Sequence, residues 1–371
     1  MKRQLMHGVT GVVALTVALT ASAAASPAAG ASAASAARPS VHRHVASRDL
    51  VRPAVRVRSS ERLALTGSVI RNSGSPGLVA DARSLVTLNG CAVTTSGTEG
   101  NGVTANGDKA RVQVANSTIK TGDAPAVLAG RGGQVTLDNA YVATGGEQAA
   151  AVRADGGGTV IARDGTIAAA GLVALSAGVV QLYGVTGTAR GQGRAAVRVE
   201  PGGSVDAVDS ELSGTAGVVL GGASAYTMTG GGLTATAGAA FHASGPANVS
   251  VRGGAAVDSG TGVLASVADW GSLRLSAVGA RLDGDIIGAA SVALTRGSVL
   301  TGVIRHGTLA LDASSRWTVT GPSELGGLTG AITSIDSGGH DVSYDPRHPA
   351  NGWLGHRTYE LGGGGRLIPL Q

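Results

Sequence analysis

The chain is written as variations on one short pattern, and that repetition limits its fold more than any single motif does. Units begin at Leu63, Leu85, Arg111, Gln134, Thr159, Val179, Ser204, Ala225, Asn248, Ser272, Ser291 and Thr308, and run 17 to 26 residues each. LVTLNGCAVTTSGTEGNGVTANGDKA, RVQVANSTIKTGDAPAVLAGRGG and QVTLDNAYVATGGEQAAAVRADGGG are three in succession. Each opens on an alternating apolar and polar run, such as Val112/Val114 or Val135/Leu137, which is the period of a half-buried strand. A turn follows, carried by Asn, Asp or Gly (Asn89, Asn116, Asp138, Asp164, Asp209), residue types that tolerate a left-handed backbone. A second short strand, a Gly-bearing loop of variable length and a third run such as AVLAG or AAVRV complete the unit.

One such coil cannot cover its own apolar side chains, but stacking it on its neighbours pairs every strand in parallel and closes a narrow continuous core. The expected fold is therefore all-β: a right-handed parallel β-helix, a solenoid of about twelve three-strand coils with a C-terminal cap. At about 4.8 Å per coil the stack would be about 55–60 Å long. Composition agrees. With 61 Gly in 371 residues and only 2% aromatic residues, a thick aromatic core is excluded, and a helical repeat would lose about 1 kcal/mol at each interior Gly. The single cysteine, Cys91, forms no internal disulfide, and its sequence setting predicts a small residue packed inside a strand.

The N-terminus reads as an address. Lys2 and Arg3 precede the apolar run Val9 to Leu19 and the small-residue stretch Ala21-Ser22-Ala23, the layout of a cleaved export signal over residues 1–23. The run is too short to span a bilayer, which takes about 20 apolar residues. Residues 24–62 are expected to be a disordered leader, Ala/Ser/Pro-rich and then Arg-rich, with Arg38, Arg43, Arg48, Arg52, Arg56, Arg58 and Arg62 against Asp49 and Glu61. The overall net charge of +5 belongs to these N-terminal residues: residues 63–371 hold 20 basic and 22 acidic side chains. A body without basic excess and a leader without interleaved aromatics argue against a nucleic-acid partner. The domain plan is thus signal, leader, β-helix repeats over 63–307, and terminal coils with a cap over 308–371.

Toward the C-terminus the text becomes more specific. Leu282-Asp283-Gly284-Asp285-Ile286, then Gly297-Ser298-Val299-Leu300-Thr301-Gly302, then Ser315-Arg316-Trp317-Thr318-Val319-Thr320-Gly321-Pro322-Ser323-Glu324-Leu325 resembles the last coils of pertactin-like autotransporter passengers. The resemblance covers about fifty residues closely and the rest by architecture alone. It implies terminal coils that fold first and template the others, with Trp317 as an anchor that shields the open end of the stack. It departs from the family where a translocator β-barrel would follow: the sequence ends at Gln371, after RTYEL and RLIPL, which read as two short strands of a closing cap.

Catalytic patterns are weak by comparison. Glycoside hydrolysis needs two carboxylates at a set separation; Asp206/Asp209/Glu211 and Asp283/Asp285 are the nearest groupings and read as turn and outer-face residues. Asp336-Ser337-Gly338-Gly339 lacks a protease domain around it, and the glycine patterns at Gly191 and Gly260 lack a following helix. His242, His306, His340, His348 and His356 are dispersed, so neither a metal nor a cofactor is expected. The variable loops at 95–102, 121–125 and 189–194 would project from one side as a ladder. The expectation is a non-enzymatic, monomeric, exported cell-surface or extracellular β-helix of adhesin or virulence-factor type. Its partner would be a polysaccharide or a host or cell-surface protein, with a separate outer-membrane translocator. A periplasmic location, a polysaccharide lyase or hydrolase, and a decayed or split passenger lacking its barrel are the alternatives.

Overall fold

Alternation in the sequence becomes alternation in burial. In the strand Leu85–Asn89 the side chains of Val86 and Leu88 are buried and Thr87 lies on the outer face; in Ala92–Ser96 Val93 and Thr95 are buried; in Val103–Asn106 Val103 and Ala105 are buried, and so is Thr104 between them. The computed structural model describes residues 42–46, 51–147 and 149–371, and in it this triplet of strands recurs turn after turn as a parallel β-solenoid. Register is kept so closely that one column of core residues runs Val86, Val112, Val135, Val160, Val180, Val205, Tyr226, Val249, Leu275, Val292, Leu309 and Leu328, each beside the next. Because side chains alternate with period two, a slip of one residue in any turn would expose that turn's whole apolar set.

The second strands of the turns form a separate sheet of 14 strands, which counts about fourteen turns rather than the twelve expected. The extra turns lie at both ends. His42–Ala46 pairs with Arg62–Thr66, Val51–Arg52 with Val69–Ser73, and Val55–Val57 with Leu78–Ala80. The segment expected as leader therefore forms strands at His42–Ala46, Val51–Arg52 and Val55–Val57; the segment expected as export signal, residues 24–41 and residues 47–50 lie outside the described residues. First and third strands form one continuous sheet because two long strands, Ile304–Leu311 and Ser323–Thr329, run from the third-strand line directly into the next first-strand line.

Between first and second strands successive turns pass through a residue of positive φ, Gly67, Gly90, Asn116, Asn139, Asp164, Gly184 and Asp209, and the next through the pair Gly230 and Gly231. Asn89 and Asp138, expected as turn residues, stand one position earlier. Backbone bonds continue through these corners from turn to turn, as in Asn116 N–H to Asp138 O at 3.0 Å and Asn139 N–H to Arg163 O at 2.9 Å. Asn116 donates from Nδ2 to Asn89 Oδ1 at 3.2 Å, and Asn139 in the same way to Asn116 Oδ1 at 2.9 Å. The next residue inward is small and buried: Ser68, Cys91, Ser117, Ala140. Cys91 is thus a member of a small-residue column. Its N–H donates to Ser117 Oγ at 3.0 Å and its thiol reaches Leu65 O at 3.4 Å.

A thin core leaves little room for a misfit, and one is present. Tyr226 is fully buried against Phe241, at a ring centroid distance of 6.1 Å, and its hydroxyl has no protein partner. Burial pushes its pKa well above the ordinary tyrosine value, with Asp206 adding to the effect. Tyr226→Phe removes a buried, unpaired hydroxyl whose penalty is about 1–3 kcal/mol, so the variant is expected to melt at a higher temperature than the parent. An unchanged or lowered melting temperature would show that the hydroxyl is satisfied.

The C-terminal turns are better connected. Asp312 accepts the N–H groups of Arg296 at 2.6 Å, Ser314 at 3.0 Å and Ser315 at 2.8 Å, bonding a backbone corner where Arg296 has φ 56°. The Arg296 N–H first, then Ser315 and Ser314, hold the Asp312 carboxyl well below the usual carboxylate range. A carboxylate whose folded-state pKa is depressed adds stability that is complete above its unfolded pKa of about 3.9 and is lost as pH falls through the folded value. Asp312→Asn should therefore be destabilised relative to the parent near neutral pH, with the difference shrinking below about pH 4. Urea midpoints at the two pH values check this; a pH-independent difference would contradict it.

Trp317 does not stand at the open end of the stack. It is 0% exposed, and its strand Arg316–Thr318 lies between Val299–Thr301 on one side and Ile335–Asp336 on the other. Its indole donates to Gly302 O at 2.9 Å. The end is closed instead by residues 342–371: Val342–Tyr344, a 3-10 helix Pro349–Leu354, and an antiparallel pair made by Tyr359–Glu360 with Arg366–Pro369. Asn351 of that helix is buried, with Oδ1 accepting from Leu328 N–H at 2.7 Å and Nδ2 donating to Gly326 O at 2.8 Å and Asp345 O at 2.6 Å.

Candidate functional site

Turn length varies mainly in the connection from second to third strand, and that variation sculpts the surface. After Tyr141–Thr144 the connection is residues 145–149, and after Thr186–Ala189 it is residues 190–194. In the turn between them, Thr166–Ala169 is joined to Gly171–Ser176 by Ala170 alone. A row of projecting loops therefore has a notch. The notch is a cleft of about 390 Å³, floored by Ala143, Ala168, Ala169 and Ala170. A second hollow of about 410 Å³ opens between the flanking loops and shares Glu147, Arg190 and Gly191 with the first.

The backbone of both walls is tied to the solenoid. Gly145 N–H bonds Thr121 O at 3.0 Å and Gly146 N–H bonds Gly122 O at 2.8 Å; Arg190 N–H bonds Ala169 O at 2.8 Å and Gly191 N–H bonds Ala170 O at 3.2 Å. Thr144 Oγ1 donates to Gly122 O at 2.6 Å. Gly146 is obligatory in this packing, since a Cβ there would stand 2.6 Å from Asp123 Cα. Side chains of contrasting kind meet at the cleft. Tyr141 is 39% exposed on the outer face, with Lys120 Nζ 5.6 Å from its ring centroid, a cation–π arrangement. Arg190 and Arg194 stand on one wall and Glu147 on the other. Tyr141 also borders a smaller hollow of about 240 Å³ whose lining includes Asn116, Asn139 and Asp164.

The carboxylates singled out in the sequence do not meet. Asp206 lies on a first strand and Glu211 on the following second strand, on different faces of the solenoid, with Asp209 at the corner between them. Asp283 is exposed, whereas Asp285 accepts the Val303 N–H at 2.9 Å. Ser337 is buried and bonded to the cap: its hydroxyl donates to Gly362 O at 2.7 Å and accepts from Gly365 N–H at 2.8 Å. Three of the five histidines singled out in the sequence have local partners, His242 with Ser266 Oγ at 2.8 Å, His306 with Glu324 at 3.1 Å, and His348 capping the 3-10 helix through Ala350 N–H. Among the described residues no group of three or more His, Cys, Asp or Glu could hold a metal ion.

Of the loops expected to carry binding, 189–194 forms one wall of the cleft, 121–125 contributes Thr121, and 95–102 is elsewhere. Tyr141 and the one-residue connection at Ala170 were not singled out from the sequence. The signal was there: the 20-residue unit from Thr159 stands between two units of 25 residues. No family model matches the chain, and no curated protein shows significant similarity to it.

Proposed function

We propose that the protein is an exported, non-enzymatic binding scaffold of the autotransporter-passenger type, acting at the cell surface or outside the cell. The observation that carries the reading is the cleft: a notch in a loop row, built on a hydrogen-bonded solenoid, with aromatic and cationic side chains around a small-residue floor. Glu147 is the one carboxylate among its described lining residues, whereas glycoside hydrolysis uses two, which favours binding over cleavage. Export is supported by the basic, apolar and small-residue order of the first 23 residues, and the passenger type by the resemblance of residues 280–330. The last turns, with buried Trp317 and a bonded cap, fit the stable terminal segment which that resemblance implies.

The test is external-protease accessibility of an epitope-tagged copy on intact cells, scored beside a periplasmic control protein. Digestion of the tag while the control survives is the expected result. Full protection of both would overturn the surface reading.

A further inference from the structure

The geometry points to the notch over Ala168 and Ala170 as a site for an acidic oligosaccharide, a short run of uronic-acid residues laid along the stack. The assignment rests on the binding-scaffold reading and adds the chemistry of the ligand. The described residues of the solenoid from 63 onward come from a sequence that is slightly acidic, yet among the described residues lining this cleft two cations, Lys120 and Arg190, stand against one carboxylate, Glu147. A ligand matching that excess is an anion. The floor is formed by small residues, with Ala143 and Ala168 partly exposed, and offers no deep apolar pocket.

Its lining residues come from four successive turns, those of Lys120, Tyr141, Ala168 and Arg190. At about 4.8 Å between turns this is about 14 Å of floor, the reach of a short oligosaccharide. Tyr141 offers what a peptide carboxylate would not need: a partly exposed ring beside the floor, against which the apolar face of a pyranose can lie. Lys120, already over that ring, and Arg190 at the other end are placed to receive carboxylates spaced along the chain. A guanidinium takes a carboxylate through two parallel bonds, a charge-assisted pairing that is strong for its size. The volume of the cleft lies within the ordinary range for ligand sites.

The experiment is calorimetric titration of the purified full-length protein with an oligogalacturonate, a neutral galactan oligomer and polyglutamate at low and high salt. Oligogalacturonate is expected to bind, the neutral oligomer not to, and affinity to fall with salt as screening grows. Arg190→Gln and Lys120→Gln should each weaken binding about tenfold, the loss of one charge-assisted contact. Tyr141→Ala should weaken it while Tyr141→Phe keeps it. Circular dichroism and melting of each variant verify the fold, and these exposed positions are not expected to alter it.

No oligogalacturonate binding, or binding untouched by all three substitutions, overturns the site. Polyglutamate binding as tightly as the sugar acid, without dependence on Tyr141, shows a surface that reads charge alone and overturns the sugar assignment. The two readings fail separately: a protein that binds oligogalacturonate but is sheltered from external protease keeps this site and removes the surface location, and the reverse result does the opposite.

Discussion

Trp317→Ala is expected to destabilise the C-terminal turns by about 3–5 kcal/mol, the range for deleting a large aromatic side chain from a packed interior. The value belongs at the upper end for two reasons. The side chain is wholly buried, and the neighbours on either side in its own row, Leu300 and Ile335, are too short to fill the void. The substitution also leaves Gly302 O, now bonded by the indole at 2.9 Å, without that donor. In a solenoid each turn is stabilised mainly by its neighbours, so the loss is local before it is global. Hydrogen exchange should show early opening of residues 299–371 in the variant, with the turns before Ser272 still protected. Uniform loosening of the whole stack would contradict the local account, and an unchanged urea midpoint would contradict the packing itself.

A second large effect is expected from Asn351→Ala, which exposes the end of the stack. In every earlier turn, strand N–H and C=O groups are met by the next strand; at Gly326 and Leu328 they are met by the Asn351 side chain. Leaving two or three buried backbone groups unpaired at about 1–3 kcal/mol each would release the cap, and a released cap leaves a flat parallel edge. Such an edge is a template for another chain. The expected readout is concentration-dependent association in size-exclusion chromatography, together with a lower melting temperature; Asn351→Asp, which keeps one acceptor for Leu328 N–H, should be milder. A variant that stays monomeric at high concentration would show that Asn351 does not guard the edge.

The fold was legible because period-two alternation and turn residues recur in the same order, and a narrow solenoid makes each turn's local pattern its global instruction. Where the reading missed, the cause was physical. His42–Ala46 and Val51–Arg52 are short strands whose sequence carries Arg and His without the apolar alternation of the later units, so composition alone resembled a linker. Trp317 was expected as an end anchor from the resemblance of the terminal coils, but the last rows are made of short strands with little periodicity, Ile335–Asp336 and Val342–Tyr344, and so were not counted as turns above it. The corner residue at Gly90 and Asn139 was displaced by one position because Asn-Gly and Asp-Asn each offer two candidates for positive φ. The cleft was legible only as a difference in unit length. What made it a site was the meeting of Lys120, Tyr141, Glu147 and Arg190 from separate turns, which no single stretch of sequence displays.

The central claim is that these residues meet because successive turns stack in parallel and in register, and distance measurement by paired spin labels tests it most directly. Cys91→Ser clears the native thiol with a residue already used in its column, at Ser68 and Ser117. Labels at Thr186→Cys and Arg281→Cys stand four turns apart on the outer face of the second-strand sheet, and at Thr186→Cys and Arg316→Cys six turns apart. The account predicts separations of about 19 Å and 29 Å, rising by about 4.8 Å per turn. Distances that do not grow with the number of intervening turns, or a broad distribution at both spacings, would contradict it.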